Sequence, residues 1–216
     1  MSTALALTAC GNGEQPADDG GGQPPAAGDS PEGGGQAPPP EGQPAQGEQA
    51  QGQGAVAARA MLVDAEGAER GTVELSETDV GTQVSFQVSG MPPGYHGLHA
   101  HSIGRCEPDS PDPDDPSSTG DFLSAGGHVG EADHGDHAGD LPSMLVTESG
   151  EGMLTSVTDR FTPADLLDED GSAFMVHSDR DNFANIPERY APEGPDEDTR
   201  DTGDAGDRLA CGVLTE

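Results

Sequence analysis

The 216-residue chain contains no lysine and no tryptophan, and only 3% of its residues are aromatic. Its eight basic side chains are all arginine and face 41 acidic ones, for a formal charge of −33. Phosphate contacts need clustered cations, so this balance excludes a nucleic-acid groove and a polybasic membrane patch. No apolar run approaches the ~20 residues that cross a bilayer as a helix. With so few aromatics, a core has to be built from Val, Leu, Ala and Met. Three cysteines is an odd number, which asks for one role different from the other two.

What is present is unevenly distributed. Residues 11–54 hold 13 Gly, 8 Pro and 8 Gln but no Val, Ile, Leu, Met, Phe or Tyr. A segment with nothing apolar to bury cannot offset its ordering entropy, so a disordered Pro/Gly/Gln-rich tether is expected there. As a flexible coil it would span about 35–40 Å, from ~5–6 Å × √n. Before it, Leu7-Thr8-Ala9-Cys10 resembles a bacterial lipobox, in which the cysteine is lipidated. Residues 1–10 then read as the remnant of a signal whose cationic start and most of whose apolar stretch lie upstream. The alternative is an ordinary cysteine in a ragged start. Residues 55–216 carry a charge of −26 and have the length of one compact domain.

In that domain short strand-like runs alternate with Gly, Pro and Asp. Val84, Phe86 and Val88 follow the period of two that marks a half-buried strand. Further runs are 55–62, 71–77, 98–102, 144–149, 152–158, 172–178 and 208–213. A helix fits only at 162–167, where Thr-Pro-Ala-Asp can open a turn. Eight short strands without a long helix predict an all-β antiparallel barrel or sandwich. Two long connections, 103–143 and 178–207, are poor in apolar residues, and loops of that length are functional or pinned by something.

Seven histidines stand at positions 96, 99, 101, 128, 134, 137 and 177. His99 and His101, two apart on a strand, send both rings to one face, an arrangement suited to copper or zinc. Five histidines and Asp140 between positions 99 and 140 make a metal centre the expected chemistry.

The stretches HGLHAHSIGRC (96–106), SAGGH (124–128), HAGDLPS (137–143), FMVHSDRDN (174–182) and GDRLACGV (206–213), in that order, resemble the copper/zinc superoxide dismutases. The similarity covers essentially residues 55–216. It implies an eight-stranded antiparallel Greek-key barrel with two long functional loops, one metal and disulfide loop and one acidic loop. It implies copper held by His99, His101, His128 and His177, and zinc held by His128, His134, His137 and Asp140, with His128 shared. Asp181 matches a carboxylate that links ligands of the two metals, and His96 a structural histidine. Arg208 matches the arginine that docks the superoxide anion. His128 would take and return a proton as two superoxide ions become oxygen and hydrogen peroxide. Cys106 and Cys211 match a disulfide, leaving Cys10 for the lipid. A disulfide suits an oxidising compartment, so the expectation is an exported protein on the outer face of the cytoplasmic membrane or cell envelope, lipid-anchored or secreted. The membrane would be met only through Cys10, and subunit number stays open, a homodimer included.

Three departures matter. The spacing from His128 to His134 to His137 is six and three, a shortened zinc loop. Residues 107–120 insert an acidic Pro/Ser/Asp segment, read as solvated surface; a calcium loop lacks the glycine of the EF-hand turn. Loop 178–207 holds ten acids and three arginines where lysines steer superoxide in relatives. A charge of −26 repels an anion unless the channel is locally positive, so added salt is expected to raise the rate or leave it nearly unchanged. The rival reading is a non-enzymatic copper-binding or copper-buffering module on the same barrel. A structural β-domain without a site leaves the clustered ligands unexplained.

Overall fold

A computed structural model describes residues 54–216. Cys10, the signal remnant and all of the expected tether except Gly54 lie outside the described residues. The strands, in chain order, are β1 (Val56–Val63), β2 (Glu69–Thr78), β3 (Gly81–Val88), β4 (Gly94–His101), β5 (Ser110–Pro111), β6 (Thr119–Gly120), β7 (Asp140–Val146), β8 (Gly152–Thr158), β9 (Ala173–His177) and β10 (Arg208–Val213). Eight of them close an antiparallel barrel in the order β1-β10-β9-β4-β7-β8-β3-β2. The chain crosses over the β7–β8 hairpin between β3 and β4 and crosses again between β8 and β9, the Greek-key path that the resemblance implies. Closure leaves the barrel itself without an open edge among the described residues.

Alternation builds the core. Along β3 the side chains of Val84, Phe86 and Val88 are buried while Gln83, Ser85 and Gln87 face outward. Leu62, Leu75, Leu98, Met144 and Val176 fill the interior with them, and Phe86 meets Phe174 edge-on at 5.7 Å. A smaller cluster of Phe122, Ala125, Ala173, Met175 and Cys211 packs outside the barrel, under the first long connection. There Cys106 and Cys211 form the expected disulfide, with Cα atoms 5.6 Å apart across 105 residues of sequence.

Several expectations need correction. The strand expected at 144–149 begins four residues earlier, so Asp140 opens β7 instead of sitting within a loop. The helix α1 (Pro163–Leu166) forms where expected, with the Thr162–Asp165 capping box. A second helix, α2 (Glu197–Thr202), was not expected. It has no apolar stripe to announce it and owes its boundaries to Asp196, which accepts from the Thr199 amide, and to Gly203 at φ +60°. The acidic insertion is largely exposed, but it is more than solvated surface. It folds into the β5–β6 hairpin and carries Asp112 and Thr119 to the lip of a cleft that Arg208 also lines.

Candidate metal centre

Alternation along β4 sends Leu98 and Ala100 into the barrel and His99 and His101 to the opposite side. Both rings are nevertheless fully buried, because the two long connections cover that side. His177 ends β9 beside the Leu98–Val176 pair and is itself paired with Arg208 of β10. A β-bridge from His101 brings His128 to the same place. Ring centroids of His99 lie 4.0 Å from His128 and 4.7 Å from His177, and those of His101 lie 4.9 Å from His128 and 5.7 Å from His177. Donor atoms of these four side chains fall within 4.8 Å of one another.

A second group adjoins the first. Asp140 is its centre, with Oδ1 at 3.0 Å from Nδ1 of His128 and 3.3 Å from Nδ1 of His134, and Oδ2 at 3.4 Å from Nδ1 of His137. Oδ2 also accepts from the backbone amides of Gly135, at 2.7 Å, and His137, at 3.0 Å. The donors within 4.8 Å of one another here are His99, His128, His134 and Asp140. His137 stands just beside that set, with its ring centroid 5.3 Å from that of His128.

Asp181 joins the groups. Its carboxylate accepts from Nε2 of His99 at 2.7 Å and from Nε2 of His134 at 2.8 Å, and takes the Phe183 amide at 2.7 Å. Gly203, just past α2, closes over this contact; a Cβ there would lie 2.2 Å from both Asp181 Oδ1 and His134 Nε2. The rings of His101 and His177 are fixed by backbone carbonyls: His101 Nδ1 donates to Gly126 at 2.8 Å and His177 Nδ1 to Gly206 at 3.2 Å. These partners decide which nitrogen of each ring carries the proton. His96 is apart from both groups, its ring nitrogens 2.6 and 2.8 Å from the carbonyl oxygens of His177 and Pro92, where it ties β4 to the end of β9.

Unsatisfied nitrogens in both groups fit metal ions. Five buried ring nitrogens have no hydrogen-bond partner: Nδ1 of His99, His134 and His137, and Nε2 of His101 and His177. Each is the nitrogen opposite a proton-donating one, or faces Asp140. An unpaired buried polar atom costs about 1–3 kcal/mol; four of the five belong to the two donor groups and the fifth, on His137, lies beside the second, a donor set suited to transition metals. Protonation does not relieve the cost in the first group. Burial lowers His128 to about 4 and takes His101 and His177 well below the ordinary histidine value; it lowers His99 too, against the pull of Asp181. In the second group burial opposes the charged form of His134, but Asp181 and Asp140 outweigh it and raise its pKa. Burial likewise opposes the Asp181 carboxylate, yet bonds from His134 and His99 hold it well below the usual range.

His128, His177 and Arg208 line one cleft of about 680 Å³, together with Asp112, Asp121 and Asp207. Arg208 donates through Nη1 to the Phe122 carbonyl at 2.7 Å and through Nη2 to the Gly126 carbonyl at 2.8 Å. Gly126 thus accepts from both Arg208 and His101. Five of the six histidines proposed as ligands therefore fall in the two donor groups with Asp140, His137 stands beside the second, and Asp181 and Arg208 adjoin them. What sequence reasoning missed is the backbone: the carbonyls of Gly126 and Gly206 and the amides of residues 135 and 137 carry no side-chain signal.

Residues 69–214 match the family model described as copper/zinc superoxide dismutase. The superoxide dismutase [Cu-Zn] of Mycolicibacterium paratuberculosis is 50% identical over 131 residues, 57% of this chain and 57% of that relative. The chain thus spans less than two thirds of that relative's length. The superoxide dismutase [Cu-Zn] of Deinococcus radiodurans is 34% identical over 167 residues, 72% of this chain and 82% of the relative. Among solved structures, the Cu/Zn superoxide dismutase from Brucella abortus superposes with a TM-score of 0.56 at 26% identity, covering 72% of this chain and 98% of that one.

Proposed function

Because the chain belongs to the copper/zinc superoxide dismutase family, we propose that residues 55–216 form a domain that converts two superoxide ions and two protons into oxygen and hydrogen peroxide. The observation that carries this reading is a cluster of four nitrogen donors, two of which, His128 and His177, line one cleft with an anchored guanidinium. His99, His101, His128 and His177 are assigned to copper, and His128, His134, His137 and Asp140 to zinc. Bound there, copper supplies a one-electron couple and zinc a fixed positive charge.

The chain's own groups do the rest. A guanidinium has five N–H donors; two of those on Arg208 are engaged by Phe122 and Gly126, so the remainder are free to dock a small anion beside the first group. His128 belongs to both donor groups and meets Asp140 through Nδ1. Its second nitrogen is the one available to take up a proton and hand it to the departing peroxide. Asp181, holding Nε2 of His99 and His134, keeps one ring of each group in register.

The same reading takes residues 11–54 as a tether, Cys10 as a lipid attachment point and the protein as exported. The Cys106–Cys211 disulfide supports an oxidising location. The rival, a copper-buffering module, has no use for an anion-docking cation. Superoxide decay with the Arg208→Ala variant separates the two. Losing a charge-assisted contact of about 1.5–3 kcal/mol slows a dismutase by roughly 10- to 100-fold at unchanged copper content. An unchanged rate would favour buffering.

A further inference from the structure

Arg160 follows β8 and belongs to none of the motifs that carry the metal chemistry. Its guanidinium nonetheless reaches across to the loop that bears His134 and His137. Nη1 donates to the carbonyl of Gly135 at 3.2 Å and to that of His137 at 3.0 Å, and Nη2 lies 3.6 Å from a carboxylate oxygen of Asp136. The amides of Gly135 and His137 are the two that hold Asp140 Oδ2. Residues 135–137 are therefore gripped on both edges, with carbonyls toward Arg160 and amides toward Asp140. Behind them the space is full: Gly135 has φ +90°, and a Cβ there would come 2.8 Å from the Phe183 carbonyl. A loop with only five residues between His128 and His134, and two more before His137, has little material with which to order itself.

We infer that Arg160 is a positioning residue for the second donor group, fixing the His137 backbone and, through the shared peptide units, the orientation of Asp140. This rests on the assignment of His128, His134, His137 and Asp140 to zinc. The role needs Nη1 on both carbonyl oxygens while Nη2 faces Asp136, a fixed planar arrangement that a lysine ammonium, a single point charge, reproduces only in part. The Arg160 side chain is 41% exposed, so truncating it opens no buried cavity and the barrel should fold without it.

The test compares the wild-type chain with Arg160→Ala and Arg160→Lys. Zinc is titrated against a chromogenic chelator, and Co²⁺ replaces it as a visible-absorption probe of the donor set. The expected result is a zinc affinity lowered by roughly 10- to 100-fold in Arg160→Ala, the range found when groups that orient metal ligands are removed. Arg160→Lys should recover part of that loss, and the Co²⁺ bands of Arg160→Ala should shift. Copper content and the urea midpoint of the zinc-stripped full chain should not move. Equal zinc affinity in wild type and Arg160→Ala overturns the inference, as does a zinc loss matched by an equal loss of zinc-stripped stability. A wild-type chain that takes up no second ion overturns the zinc assignment and this inference together.

Discussion

The two donor groups share His99 and His128 but stand on different foundations. In the first, His99 and His101 ride on β4 and His177 ends β9, strands paired through the barrel wall. In the second, His134 and His137 belong to the connection before β7 and converge on a carboxylate. Rings on strands inherit the stiffness of a closed barrel, whereas rings on a connection have to be ordered by local hydrogen bonds. The first group should therefore tolerate damage around it and fail only when a ligand is lost. The second should be sensitive to its surroundings.

Removing one ring from each group gives the largest contrast. His101→Ala is expected to abolish copper retention and superoxide removal, while His137→Ala keeps copper, keeps a measurable rate and loses zinc. Elemental analysis alongside superoxide decay checks this, and equal damage from the two variants would erase the distinction. Next in size is Gly203→Ala. Its new Cβ collides with Asp181 and His134 and forces alanine into a left-handed conformation that costs about 1–2 kcal/mol. Zinc affinity is expected to fall by roughly 10- to 100-fold, with copper much less affected.

Acid probes the same contrast in the metal-free chain. The pKa values of His101, His128 and His177 are lowered on folding, so the unfolded chain binds protons more readily. Their stabilising effect is complete above 6.5 and is lost as the pH falls from there toward about 4. His134 has the opposite sign: raised on folding, it stabilises below 6.5 and loses that effect at higher pH. Those three rings and His99, which is also lowered, outnumber it, so urea midpoints should drop between pH 6.5 and 4. Conversion of Asp181 to Asn should remove the pull that raises His134 and leave burial to lower His99 further.

The smallest effect concerns the cleft. Asp112 is the carboxylate whose charge acts on Arg208, opposing the lowering that burial imposes. With Asp121 and Asp207 on the same rim, the mouth opposes anions. Added salt should raise kcat/KM slightly or leave it flat, because screening weakens repulsion, and Asp112→Asn should raise it by a few-fold at low salt. A steep fall with ionic strength would show that the channel attracts superoxide despite its rim.

Much of the molecule was legible because it depends on short-range pattern. Period-two alternation at Val84, Phe86 and Val88 revealed β3, and the His99-x-His101 spacing placed two rings on one side of a strand. Asp140 was found as a donor candidate but misplaced in the chain's geometry: polar residues and a proline obscure the start of β7. Helix α2 was invisible, since six polar residues fixed by a cap and a glycine show no apolar periodicity. The acidic hairpin read as solvent-facing because composition reports polarity, not the cleft it borders. Nothing in the residue types revealed that backbone carbonyls set the ring tautomers, or that Arg160 reaches the connection carrying His137.

The Gly126 carbonyl, which takes hydrogen bonds from both His101 and Arg208, has a consequence for engineering. One oxygen atom anchors an imidazole assigned to copper and the cation proposed to dock superoxide. Shifting the 123–127 segment to improve anion capture will turn the imidazole as well, so reduction potential and substrate affinity will change as a linked pair and cannot be selected independently.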